Sequence, residues 1–85
     1  MSYSLEFRPA ALRELRKLPP EVGDQLHVIF EKLKENPRPP GCLKMKGDAG
    51  FWRVRSGNYR VIYDIQDSKL IVLILDVGHR KDIYN

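Results

Sequence analysis

The sequence predicts an α+β fold in which an N-terminal strand is followed by a two-helix hairpin and then by an antiparallel β-sheet meander. Apolar residues alternate with polar residues near the N terminus, recur at helical spacing from Pro9 to about residue 35, and alternate again after residue 42. The apolar stripes of a helical hairpin must be buried against a sheet, so both helices are expected on one sheet face. The 85 residues are expected to form one domain, 1–85.

The first strand and the first helix follow from apolar spacing and from proline. Tyr3, Leu5 and Phe7 alternate with polar residues, which is typical of a strand with one apolar face. Pro9 suits the first turn of a helix because its fixed φ and missing N–H are tolerated there. The Leu-Pro-Pro segment at 18–20 ends that helix, since a residue before proline is pushed out of helical geometry.

A second helix is predicted to begin at Pro20 or Glu21. The proline-rich segment 36–41 stops it. Between these limits one apolar stripe repeats with helical spacing, and it consists of Val22, Leu26, Ile29, Phe30 and Leu33.

The rest of the chain predicts four strands separated by turns. The strands are expected at residues 43–46, 51–55, 59–65 and 70–75, with turns at 47–50, 56–58 and 66–69. Residues 70–75 form a continuous apolar run, so this strand is expected to be covered on both faces.

Composition narrows the classes of function. The net charge of +4 permits nucleic acid or an acidic protein as a partner and proves neither. The single cysteine, Cys42, excludes an intrachain disulfide and fits a reducing compartment. One cysteine and two separated histidines are too few for a zinc site. No apolar run is long enough for a signal core or a membrane span, so a cytoplasmic protein is expected.

Strand parity places several basic side chains on one face of the predicted sheet. Arg53 and Arg55 alternate with apolar residues and therefore share a face of their strand. In the hairpin closed by residues 56–58, Arg60 is expected to join them. Further cations expected at this face are Lys44 and Lys46 from the preceding strand and Arg80 from the end of the last strand.

The cluster of cations has two interpretations. Arginines and lysines on the exposed face of a sheet are ordinary solvated residues. Alternatively, guanidinium groups bind phosphate oxygens in a bidentate manner, which makes this face a candidate phosphate-binding surface. The C-terminal run from His79 to Tyr84 favours the second interpretation, because histidine, arginine and tyrosine can each stabilise or transfer charge at a phosphate.

Several segments together carry a resemblance to a known family. They are residues 3–7 and 11–18, residues 43–47, the Tyr-Arg-Val-Ile-Tyr strand at 59–63, and the Val77–Tyr84 end. The chain resembles, over essentially its whole length, the RelE-type toxins of the RelE/ParE superfamily. The strand at 59–63 and the C-terminal end are the most specific parts of the resemblance.

The resemblance implies a fold, an activity and partners. RelE-type toxins have a compact sheet covered by two helices, and they are ribosome-dependent endoribonucleases that cut mRNA in the A site. A cognate antitoxin neutralises each of them, often in a toxin–antitoxin heterotetramer. The resemblance further implies that Arg60 holds the scissile phosphate, that Arg80 stabilises the transition state and leaving group, and that Tyr84 stacks on a base or assists proton transfer.

The chain departs from the RelE pattern at Arg53 and Arg55, one of which stands where these toxins carry a lysine. An arginine practically cannot lose its proton and act as a base. His79 is therefore the expected general base, because histidine titrates near neutral pH. Arg53 is expected among the catalytic residues, since Arg53 or Arg55 would help Arg60 and Arg80 to offset charge on the phosphorus. Lys44, Lys46 and Arg55 are expected to contact RNA, including 16S rRNA, and no metal or cofactor is expected.

Two alternative functions share this fold. A ParE-like gyrase inhibitor has no nuclease activity, and the tail arginine and tyrosine favour the nuclease over it. The other alternative is an antitoxin-binding module that has lost catalysis.

Overall fold

Five strands and two helices follow one another in the order that the sequence predicts. The computed structural model describes residues 2–47 and 50–79. The elements are β1 (Ser4–Phe7), α1 (Pro9–Arg16), α2 (Pro20–Glu35), β2 (Leu43–Lys44), β3 (Trp52–Ser56), β4 (Tyr59–Gln66) and β5 (Ile71–His79). In this part of the chain neither helix is both long and apolar enough to cross a membrane.

Proline starts both helices, as predicted. Pro9 and Pro20 are the first residues of α1 and α2, where a missing backbone N–H costs no intrahelical hydrogen bond. α1 ends at Arg16, two residues before Leu18. After α2, Asn36 adopts an extended conformation, and its side-chain Oδ1 accepts a hydrogen bond of 3.0 Å from the backbone N–H of Arg38. This turn directs the chain from the helix towards the sheet.

The five strands form one mixed sheet in the order β1-β5-β4-β3-β2. The strands β2 to β5 form the predicted antiparallel meander. β1 pairs in parallel with β5, with Ser4 opposite Ile71 and Phe7 opposite Ile74. The alternation of apolar residues in β1 predicts its buried face, whereas its place beside β5 depends on the path of the helical hairpin.

Both helices pack on one face of the sheet and bury a single core against it, as predicted. Ala11 from α1 and Leu26, Phe30 and Leu33 from α2 enter this core. The sheet contributes Val54, Val61, Tyr63, Val72, Ile74 and Val77, and Trp52 packs at its edge. We call this side of the sheet the helix face and the other side the arginine face, for Arg53, Arg55 and Arg60.

The apolar strand β5 is not covered equally on its two faces, so this part of the prediction is wrong. Val72 and Ile74 are fully buried on the helix face, whereas Ile71 and Leu73, which alternate with them, are only half-buried. The register of β5 with β4 then shifts by one residue, leaving Leu75 as the extra residue of a β-bulge. Val77 lies three residues after Ile74, so in a regular strand the two side chains would point to opposite faces. Because of the bulge, both point to the helix face.

Two polar contacts connect the segment after α2 to the sheet. The buried Tyr63 hydroxyl donates a hydrogen bond of 2.7 Å to the carbonyl oxygen of Pro37. Burial raises the pKa of the Tyr63 phenol. At the surface, Asp67 accepts hydrogen bonds from Arg38 at 2.9 and 3.3 Å and from Tyr3 at 2.7 Å, and the contact with Arg38 lowers the pKa of the Asp67 carboxyl. These contacts fix the loop that leads into β2.

We predict that Tyr63→Phe lowers the free energy of unfolding by about 1–2 kcal/mol, because the buried Pro37 carbonyl loses its donor. The matched control is Tyr3→Phe, which removes an exposed hydroxyl hydrogen bond and should cost clearly less. Urea titrations of the two variants and the wild type measure both changes. Equal losses in the two variants would contradict the role of the buried hydrogen bond.

Candidate functional site

Three arginines share the arginine face because of the pairing between β3 and β4. Arg55 lies directly opposite Arg60, and Arg53 lies opposite Ile62. Side chains of directly opposed residues point to the same side of a sheet, and Val54 and its partner Val61 point to the helix face between them. The prediction that Arg53, Arg55 and Arg60 share a face is therefore confirmed.

The three arginines line one small cleft, which we call the arginine cleft. Its volume is about 210 Å³, and Gly41 and Leu43 complete its lining. Arg60 is only 3% exposed, Arg53 is half-buried and Arg55 is exposed. Gly41 has a φ of +90°, a conformation that favours glycine and lets the chain turn beside the cleft before β2 begins.

The arrangement of the arginines suits an anion. Like charges on directly opposed positions of an antiparallel pair are destabilising, and Arg55 and Arg60 occupy such positions. A phosphate group in the cleft would offset this repulsion and accept hydrogen bonds from planar guanidinium groups. Such a cluster can also stabilise negative charge that develops on a phosphate during a reaction.

Lys44 does not join the arginines, so that part of the prediction is wrong. β2 contains only two residues, and its register places Lys44 opposite Trp52, while Leu43 lies opposite Arg53. The Lys44 Nζ atom is 6.0 Å from the centroid of the Trp52 ring, on which Arg38 also packs. Lys46 follows the end of β2. Both lysines instead line a second cleft of about 380 Å³, together with Leu43, Met45 and Arg53.

His79 lies on the other side of the sheet from the arginine cleft. His79 is paired with Tyr59, and Tyr59 points to the helix face as Val61 does. The residue before it, Gly78, is the one paired with Arg60. The rings of His79 and Tyr59 are in edge-to-face contact, with centroids 5.4 Å apart. The imidazole therefore does not face the arginines, beside which the sequence led us to expect it. Arg80 and Tyr84 lie outside the described residues.

An apolar groove of about 870 Å³ lies between α2 and β3. Val28, Ile29, Pro39, Pro40 and Val54 form part of its lining. Arg55 lines both this groove and the arginine cleft. Among residues 2–47 and 50–79, histidine, cysteine, aspartate and glutamate do not form a group of three that could hold a metal ion.

Gly41 and Leu43 were not expected from the sequence as residues of the cleft. Gly41 precedes β2, and its place beside the arginines follows from the loop after α2. Leu43 rather than Lys44 faces the arginines because of the register between β2 and β3, which the sequence of so short a strand does not contain.

Comparison with known proteins identifies the family. A family model described as the ParE toxin of type II toxin–antitoxin systems, parDE, matches residues 5–84. The chain belongs to this toxin family. The toxin is 38% identical over 85 residues to Toxin RelG of Mycobacterium tuberculosis, a match that covers 99% of this chain and 98% of the relative. It is 35% identical over 89 residues to the mRNA interferase toxin RelE of Escherichia coli, covering 95% and 86% of the two chains. The resemblance to RelE-type toxins is therefore confirmed.

Solved structures of RelE-type toxins have the same fold. A chain of the toxin–antitoxin complex RelBE2 from M. tuberculosis superposes with a TM-score of 0.83 at 33% identity, covering 94% of this toxin and 100% of that chain. The isolated E. coli RelE toxin superposes with a TM-score of 0.82 at 31% identity, covering 98% and 92%. The α+β architecture predicted from the sequence is thus the architecture of this family.

We predict that Arg55→Gln raises the free energy of unfolding by about 0.2–1 kcal/mol at low ionic strength, because it removes the like charge opposite Arg60. The gain should shrink as added salt screens the remaining charges. The control is Arg13→Gln, which removes a cation from the last turn of α1 and should not stabilise the toxin. Thermal or urea unfolding at low and high salt measures the effect. A loss of stability in Arg55→Gln at low salt would contradict the repulsion.

Proposed function

We propose that this toxin is an endoribonuclease that cleaves mRNA in the A site of the ribosome and acts in the cytoplasm. The observation that carries the proposal is the arginine cleft, a small space lined by three arginines, one of which is almost fully buried. A relative that is 35% identical over nearly the whole chain is named an mRNA interferase, which supports a phosphodiester of RNA as the substrate.

The proposed reaction is an attack of the mRNA 2′-OH on its own 3′-phosphate. A bond forms between the 2′ oxygen and phosphorus, and the bond from phosphorus to the 5′ oxygen of the next nucleotide breaks. The products are a 2′,3′-cyclic phosphate and a free 5′-OH, after the 2′-OH has lost a proton and the leaving oxygen has gained one. The arginine cleft stabilises the additional negative charge on the pentavalent phosphorus.

The arginines contribute differently according to their burial. Arg60 lies on an inner strand of the sheet and is only 3% exposed. Because burial restricts its side chain before substrate arrives, we assign Arg60 to the scissile phosphate. Arg53 and Arg55 reach the same cleft from β3 and offset charge on the non-bridging oxygens. Because these charged groups provide the electrostatic stabilisation, we propose that the reaction needs no metal.

The groups expected to act on the leaving group and the protons lie at the end of β5 and in the C-terminal segment. His79, the base expected from the sequence, contacts Tyr59 on the helix face, so in this geometry it supports the end of β5 rather than the arginine cleft. We propose that Arg80 stabilises the leaving group and that Tyr84 either stacks on a base, a contact worth about 1–3 kcal/mol, or assists proton transfer. These two roles rest on the family resemblance.

The proposed partners follow from the same relatives. Solved toxin–antitoxin complexes of RelE-type chains from M. tuberculosis and E. coli support a cognate antitoxin for this toxin. That the two assemble as a heterotetramer is proposed from the family resemblance alone. On the ribosome, we assign Lys44 and Lys46, which line the second cleft, to contacts with mRNA or 16S rRNA.

Gyrase inhibition is the second candidate function, because the family model that matches this chain is described as that of the ParE toxin. It predicts stalled replication with intact mRNA. The relatives named RelE and the three arginines of the cleft support the nuclease instead.

We predict that induction of the toxin arrests growth and produces mRNA 5′ ends in phase with codons. The variants Arg60→Lys and Arg80→Ala should each reduce cleavage by about 10²–10³-fold, as expected for the loss of one group that stabilises the transition state. Sequencing of mRNA 5′ ends after induction measures this. Circular dichroism and antitoxin binding of the purified variants serve as controls for folding. Intact mRNA with DNA damage would support gyrase as the target, and full toxicity of both variants would remove the catalytic assignments.

We predict that His79→Gln leaves the pH dependence of single-turnover cleavage unchanged between about pH 5 and 8, because the imidazole lies across the sheet from the arginine cleft. A general base must be unprotonated, so if His79 were the base, the wild-type rate would rise with pH in this range and the rise would vanish in the variant. That outcome would restore His79 as the base.

A further inference from the structure

Leu43 separates the arginine cleft from the second cleft. It is directly opposite Arg53, and these two residues line both clefts. We call the second cleft, which is lined by Leu43, Lys44, Met45, Lys46 and Arg53, the Leu43 cleft. Its volume of about 380 Å³ falls in the range of small-molecule sites and exceeds the 210 Å³ of the arginine cleft.

The lining of the Leu43 cleft combines two kinds of chemistry. Leu43 and Met45 offer apolar surface, and Lys44, Lys46 and Arg53 offer positive charge. Its described lining residues include no carboxylate. A nucleotide has the complementary combination, since its base has apolar faces and its phosphate is an anion.

Leu43 is held in an unusual environment for a leucine. Leu43 is 54% exposed and adjoins a charged cleft. In the described part of the chain, one other large hydrophobic residue is exposed to this degree, namely Val28 on α2 at 53%. The backbone around Leu43 is fixed, because Leu43 pairs with Arg53 and the N–H of Met45 donates a hydrogen bond of 2.7 Å to the carbonyl oxygen of Phe51. The leucine is therefore presented by a strand, not by an irregular loop.

We propose that the Leu43 cleft is a nucleoside subsite of the toxin. The base adjacent to the scissile phosphate packs on Leu43 and Met45, and Lys44 and Lys46 contact the next phosphate along the strand. Leu43 acts as a positioning residue, since it holds the nucleotide whose phosphate enters the arginine cleft. This inference rests on the proposed function, which supplies single-stranded RNA as the substrate.

The test combines a protein change with a substrate change. Single-turnover cleavage is measured on ribosomes programmed with an A-site codon, and on matched mRNAs in which one A-site nucleotide at a time is abasic. Leu43→Ala removes the apolar wall, Leu43→Met conserves it, and Val28→Ala is the matched control at an equally exposed apolar residue on α2.

Leu43→Ala should raise the toxin concentration needed for half-maximal cleavage by about fivefold on intact mRNA, because the base no longer packs on a leucine side chain, with a smaller effect on the maximal rate. On the mRNA that is abasic at the contacted position, wild type and Leu43→Ala should be equal. Leu43→Met and Val28→Ala should match wild type on every template. A Leu43→Ala defect that persists on every abasic template, or no defect at all, would overturn the subsite.

A second measurement separates this inference from the proposed function. If wild-type toxin cleaves no mRNA, the proposed function fails, and the subsite is then tested without ribosomes by fluorescence anisotropy of a labelled RNA hexamer at low salt. Wild type should bind the intact hexamer more tightly than the same hexamer with abasic positions, and Leu43→Ala should lose that difference. Equal affinity of the wild type for both hexamers would overturn the subsite.

Discussion

The register of the β3–β4 hairpin is the constraint on which the arginine cleft depends. It places Arg55 opposite Arg60 on one face and Val54 opposite Val61 on the other. A slip of one residue in either strand would exchange the faces of that strand, moving its arginine side chains towards the core and its valine towards the cleft. The core therefore selects the register that assembles the cleft.

The turn of this hairpin adds to the same constraint. Gly57 has a φ of +60°, which a two-residue hairpin turn requires, and a β-carbon there would lie 3.0 Å from Nε2 of Gln25. Gln25 also donates a hydrogen bond of 2.8 Å to Oγ of Ser56. The helix α2 thus contacts the turn directly, so the packing of the helices and the register of the hairpin support each other.

Periodicity in the sequence predicted most of the fold because each helix and strand has one apolar face. Pro9 and Pro20 marked both helix starts correctly, and strand parity predicted the face shared by Arg53, Arg55 and Arg60. Parity within a short strand cannot give its register with a neighbour, and for this reason Lys44 was assigned to the wrong face. The parallel pairing of β1 with β5 also depends on long-range contacts that no local pattern contains.

The β-bulge at Leu75 explains why the end of β5 was the hardest part of the site to predict. One extra residue reverses the parity of every residue that follows it, so Gly78 pairs with Arg60 while His79 turns to the helix face beside Tyr59. A run of apolar residues contains no signal for such a residue. The consequence for chemistry is a division between the two faces, since the guanidinium of Arg60 lies on one side of the sheet and the imidazole of His79 lies on the other. This division supports the proposal that cleavage relies on preorganised charge at the phosphate rather than on a histidine base.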